Sequence, residues 1–116
     1  LIALRGERAI GWCAVGPRSR YPQYEDDDAG RGAWAIPCIY VAPAADRPRV
    51  ARALIEAAAE LAACNGAVAL DGPPPWWLPG DEAAIANATT WFLDNGFERV
   101  GAGARMPELR RNLTER

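Results

Sequence analysis

The groups that could do chemistry in this sequence are few in kind. They are a run of carboxylates (Glu25, Asp26, Asp27, Asp28), a lone Asp71, the arginines Arg47, Arg49 and Arg52, three thiols and three tyrosines. The 116 residues include no His, and all 13 basic residues are Arg. A Ser-His-Asp or Cys-His device needs an imidazole base, so both are excluded. Zinc sites with His ligands, Schiff-base chemistry and a phosphate loop built on Lys are excluded too. A proton acceptor must then be a carboxylate, a tyrosine, water or a terminus. Cationic recognition of a phosphate must come from Arg, whose planar fork binds it bidentately.

Two carboxylates stand out. Asp28 ends the acidic run of a long polar loop, where negative charge would draw in a cationic amine. A solvated charge run is the alternative reading. Asp71 closes an apolar stretch, and open α/β sheets place ligands at the C-terminal ends of strands. Capping the turn at residues 72–75 is its alternative. Cys13, Cys38 and Cys64 are odd in number, lie in apolar segments and form no C-x-x-C pair. Buried free thiols in a reducing cytoplasm fit them best, and no metal site is expected.

The elements that must position these groups read as one α/β domain spanning residues 1–116, too short for two cores. Residues 1–4 and 9–15 read as a hairpin turned at residues 5–8. Residues 33–41 (AWAIPCIYV) form the strongest strand, apolar on both faces and hence central. Pro37 inside it cannot donate to a ladder, so a bulge or splay is expected there. Residues 48–65 carry Val50, Leu54, Ala57, Leu61 and Cys64 at helical spacing, with Pro48 at the first helical position and Gly66 as a left-handed cap. Residues 67–71 are a buried strand. Asp81 caps a second helix over residues 82–95, and Gly96 ends it. Residues 97–104 form a strand, and a short one is read within 106–113. The order β-β-β-α-β-α-β-(β) gives a mixed, mostly antiparallel sheet with two crossover helices.

A strand ending Ile39-Tyr40-Val41-Ala42-Pro43, a short basic loop and then a long helix resembles the acetyl-CoA-binding core of the GNAT N-acetyltransferases. Trp91-Phe92-Leu93-Asp94-Asn95-Gly96-Phe97 is similar to a second block of that family. The runs Trp34-Ala35-Ile36-Pro37-Cys38-Ile39 and Leu70-Asp71-Gly72-Pro73 look like one bacterial branch of it. The resemblance covers nearly the whole chain. The family's first strand and helix pair have no counterpart, so the chain resembles an N-terminally truncated member. It implies that Ile39, Tyr40 and Val41 hold the pantetheine arm in a splayed sheet. It also implies that Arg47, Pro48, Arg49, Val50, Ala51 and Arg52 meet the pyrophosphate at the helix N-terminus. In the family's loop pattern, (Gln/Arg)-x-x-Gly-x-(Gly/Ala), Asp46 replaces the first residue and Arg49 the Gly; Ala51 matches. Pro48 deletes one backbone donor. Phe92 stands where the family carries the Tyr that protonates the leaving thiolate, and a phenyl ring donates nothing.

The implied function is transfer of an acetyl group from acetyl-CoA to an amine of a small molecule or peptide by direct attack. The alternative is a non-catalytic domain of the same fold serving as a binding or interaction module. The net charge of −2 argues against a nucleic-acid partner, and no apolar run reaches the length of a membrane span. Trp76 and Trp77 among prolines have three readings: a cover for an acceptor pocket, a homodimer contact, or packing over the core.

Overall fold

The computed structural model describes residues 1–22, 24, 32–43, 45–74, 80–100 and 108–113. The loop bearing the acidic run, including Asp28, and the loop bearing Trp76 and Trp77 lie outside the described residues.

Among the described residues eight strands and two helices follow in chain order: β1 (Ile2–Arg5), β2 (Arg8–Cys13), β3 (Gly16–Pro17), β4 (Ala33–Ala35), β5 (Ile39–Val41), α1 (Arg47–Cys64), β6 (Ala69–Asp71), α2 (Glu82–Leu93), β7 (Glu98–Val100) and β8 (Glu108–Asn112). A single 3-10 turn at Arg18–Arg20 follows β3. The strands form two sheets, ordered β1-β2-β5 and β3-β4-β6-β8-β7. The β4–β6 pair is parallel and the others are antiparallel.

The segment expected as one central strand over 33–41 is therefore two strands in two sheets. The break falls at residues 36–38, around Pro37. In β4 the backbone of Ile36 faces β6, so that of residue 37 faces β3. Pro37 has no N–H to extend that ladder. Ala14 instead donates to the Cys38 carbonyl at 3.2 Å, which starts the pairing of β5 with β2. Gly16 and Pro17, just past the strand expected over 9–15, add the short β3 against Ala35 and Trp34.

Helix α1 lies across both sheets. Its buried residues Val50, Ala51, Leu54, Ile55, Ala58, Ala59 and Ala62 recur every three to four positions. They meet Cys13, Ile39, Val41 and Leu70 in one core. Gly11 allows the close approach of α1 to β2. A Cβ built there would lie 2.9 Å from the Tyr40 carbonyl oxygen and 3.1 Å from Val50. The helix ends as expected, with Gly66 at φ 81° and the N–H of Ala67 returning to the Ala62 carbonyl at 3.0 Å. The Asp81 side chain accepts from the N–H of Ala84 at 2.9 Å and caps α2.

The outer face of the three-stranded sheet carries Ile2, Trp12 and Tyr40 in register, all exposed. Among the described residues no helix is long and apolar enough to cross a membrane.

Candidate functional site

The site begins where the sheets part. β4 and β6 run in parallel from Ala33 opposite Ala69 to Ala35 opposite Asp71. Ile36 adds one more hydrogen bond, its N–H donating to the Asp71 carbonyl at 2.8 Å. Beyond it the chain of β4 crosses into the other sheet as β5, and among the described residues β5 has no partner in the sheet of β6. The result is a fork.

The edge of β5 that faces away from β2 is set by strand alternation. The Cys38 carbonyl and the Ala42 N–H both bond toward β2, to Ala14 and to Ile10. Ile39 and Val41 must then aim their N–H and C=O groups to the other side, into the fork. Their side chains are buried, and Tyr40 between them is exposed. Such backbone groups are obligatory hydrogen-bonding groups, so this edge suits a ligand carrying amides.

The start of α1 stands next to β5 in the chain. Asp46 occupies the N-cap position but makes no side-chain cap hydrogen bond. The N–H of Val50 is spent on the Asp46 carbonyl at 3.0 Å, and Pro48 has none. Among the described residues, the donors left open in the first turn are thus those of Arg47 and Arg49. Val50 and Ala51 point their side chains into the core. Arg49 is exposed and touches Asp46 loosely at 3.8 Å. The Nε atom of Arg47 is buried and has no hydrogen-bond partner among the described residues. Buried polar atoms are nearly always paired, so this one suits an acceptor from a ligand.

Pro48, Arg49 and Arg52 also line one side of a cleft of about 620 Å3. Glu56, Trp91, Asp94, Asn95, Gly96 and Arg111 complete it. Arg111 pairs with Glu56 at 2.7 Å, and Arg49 and Arg52 are the other cations lining the cleft. The volume lies within the range of small-molecule sites.

Phe92 does not reach this cleft. It is fully buried, edge-on to Phe97 with ring centroids 5.1 Å apart. Its position is that of a core aromatic.

Asp71 is fully buried at the base of the fork. Its carboxylate is bound by the guanidinium of Arg18 and by Arg110, whose Nε and Nη2 donate at 2.6 and 2.9 Å. Arg18 is itself 3% exposed and lies under the Tyr24 ring, 5.0 Å from its centroid. The Arg pairing joins residues far apart in sequence, with no periodic signal. It was not foreseen from the sequence, although an aspartate ending a buried strand must find cationic partners.

Cys13 is buried, and burial pushes its thiol from 9.0 up to about 11. Burial also raises the Cys38 thiol. Neither is a thiolate near neutrality, so neither serves as a nucleophile. The described residues contain no cluster that would hold a metal ion.

No family model matches the sequence, and no curated protein matches it. Solved structures do match. One is a Desulfovibrio desulfuricans protein assigned to the GNAT acetyltransferase family, with TM-score 0.69 and 19% identity. It matches 97% of this chain and 67% of its own. A second is a Salmonella typhimurium protein assigned as an acetyltransferase and solved with its cofactor acetyl-CoA. It has TM-score 0.66 and 16% identity, over 99% of this chain and 64% of its own. A third is a ribosomal-protein-alanine N-acetyltransferase from Brucella melitensis, with TM-score 0.60 and 21% identity, over 94% and 64%. This chain spans about two thirds of the length of the structures it matches. At these identities the likeness speaks for the fold. The chain has the mixed α/β fold of the GNAT acyltransferases, with the fork and the start of α1 in place.

Proposed function

We propose that this chain is an N-acetyltransferase that uses acetyl-CoA and delivers the acetyl group to an amine of a small molecule or peptide by direct attack. The observation that carries the reading is the free edge of β5, aimed into a fork beside the start of α1. The absence of His and Lys agrees with it, because aminolysis of a thioester requires neither in the protein.

The residues present fit such a ligand. Ile39 and Val41 offer backbone groups to the amides of a pantetheine arm, and one of their N–H groups would serve a developing oxyanion. Arg47, Arg49 and Arg52, with the N–H groups of Arg47 and Arg49, offer positive charge to phosphates. The orphaned Nε of Arg47 is the sharpest sign of that fit. Val50 and Ala51 pack α1 on the sheet and so fix where its first turn lies. Bound acetyl-CoA would supply an acyl group already activated as a thioester.

The incoming amine must lose a proton. The acidic run ending at Asp28 is our choice for its acceptor, directly or through water. Asp71 acts as an anchor in this reading, because guanidinium groups already hold its oxygens. Phe92 has no proton to give the departing thiolate. A thiol is a moderate acid, so departure without help remains chemically reasonable.

The test is a calorimetric titration with acetyl-CoA, followed by an assay of free thiol with pooled amines. Saturable binding and amine-dependent thiol release are expected. No binding at millimolar acetyl-CoA contradicts the reading. Binding without release assigns the chain to the non-catalytic alternative.

A further inference from the structure

The apex of the fork has a specific cause. Ile36 donates its N–H to the Asp71 carbonyl. In a regular parallel ladder its own carbonyl would next accept from the N–H of residue 73. That residue is Pro73, which has none. Pairing of β4 with β6 therefore stops at this rung, and the Ile36 carbonyl needs another donor.

Tyr24 supplies it. Its hydroxyl lies 3.3 Å from the Ile36 carbonyl oxygen and 2.9 Å from that of Gly72, so one hydrogen is shared across both arms of the fork. The ring rests on the Arg18 guanidinium, which is bound to Asp71. Tyr24, Arg18 and Asp71 are 6%, 3% and 0% exposed. A phenol held this rigidly fixes the separation of the two carbonyls it touches.

We propose that Tyr24 is a positioning residue that sets the apex of the fork: its hydroxyl replaces the donor missing at Pro73, and with it the width of the slot beyond. The role of that slot in holding a thioester's arm rests on the acetyl-CoA reading. The fork-setting role does not.

Tyr24→Phe keeps the ring on Arg18 and removes the hydroxyl that bridges the two carbonyls. Two readouts on the full chain separate the claims. In amide hydrogen exchange, the Ile36 N–H should exchange about tenfold faster, while Leu54 and Ile55 in α1 stay unchanged. In calorimetry, CoA should bind about tenfold more weakly, the equivalent of one lost hydrogen bond. Adenosine bisphosphate, which lacks the pantetheine arm, should bind as before. Adding Pro73→Ala in the Tyr24→Phe background restores a backbone donor. Ile36 protection should then recover while CoA affinity stays low, because the ladder has advanced one rung into the slot.

Unchanged Ile36 exchange in Tyr24→Phe overturns the proposal. So does a general loss of protection with equal weakening of both ligands, which marks simple destabilisation. Faster Ile36 exchange with undiminished CoA binding overturns the slot-width role. If the wild-type chain binds no CoA but Ile36 exchange responds as stated, the acetyl-CoA reading fails and Tyr24 retains the fork.

Discussion

Arg18, Asp71 and Arg110 show how a single buried carboxylate organises its surroundings. Removing one partner from a buried ion cluster leaves a charge without compensation, which costs about 3–5 kcal/mol. Asp71→Asn should therefore lower stability by that amount, a large share of the total for a domain of this size. Glu56→Gln breaks an exposed pair with Arg111 and should cost less than about 1 kcal/mol. Urea denaturation of the two variants checks the contrast; equal effects would show that Asp71 does not anchor the fork. Cys13 gives a pH prediction. Its folded thiol holds its proton up to about 11, whereas an exposed thiol releases it near 9.0. The folded state binds more protons between these values, so stability falls as pH rises through them. The stability from this source is complete below 9.0 and lost by about 11. Unfolding midpoints of wild type and Cys13→Ala, followed across that interval, should converge as the pH rises.

At the scale of elements, the closest fit is α1 against β2. Gly11→Ala would put a methyl carbon 2.9 Å from the Tyr40 carbonyl oxygen and 3.1 Å from Val50. Overpacking of this kind costs about 1–3 kcal/mol, because the backbone at Tyr40 cannot step aside. A denaturation curve that matches wild type would mean α1 sits farther from β2 than described. Both helices were legible in the sequence, since apolar spacing, Asp81 and the terminal glycines are local signals. Pro37 announced a break in the central strand for the same reason. What it could not announce was a change of sheet, because pairing partners are set by distant segments. β8 shows the same gap. It was read only as a short strand near the end, yet it lies between β6 and β7 and brings Arg110 to Asp71. The residues implied for the phosphates were legible as a positively charged helix start. Helical spacing gave Val50, Leu54 and Phe92 as inward, and they are buried, whereas Ala57, Leu61 and Cys64, read on the same face of α1, are exposed because tertiary packing sets which strip of the helix meets the sheets.

The described residues form two sheets that share helix α1 and part at a fork. Proline supplies that fork twice, at Pro37 on one edge of the strand and at Pro73 opposite the other. Among the described residues, this leaves a strand edge with open backbone groups next to a helix start with arginines. The most direct test of this account is a titration of the 15N-labelled chain with acetyl-CoA, read by amide shifts. Saturable shifts should concentrate at Ile39, Tyr40 and Val41 and at Arg47, Arg49 and Arg52, with little change at β1 or β7. Absence of shifts at millimolar acetyl-CoA, or shifts that leave β5 and the start of α1 untouched, would contradict it.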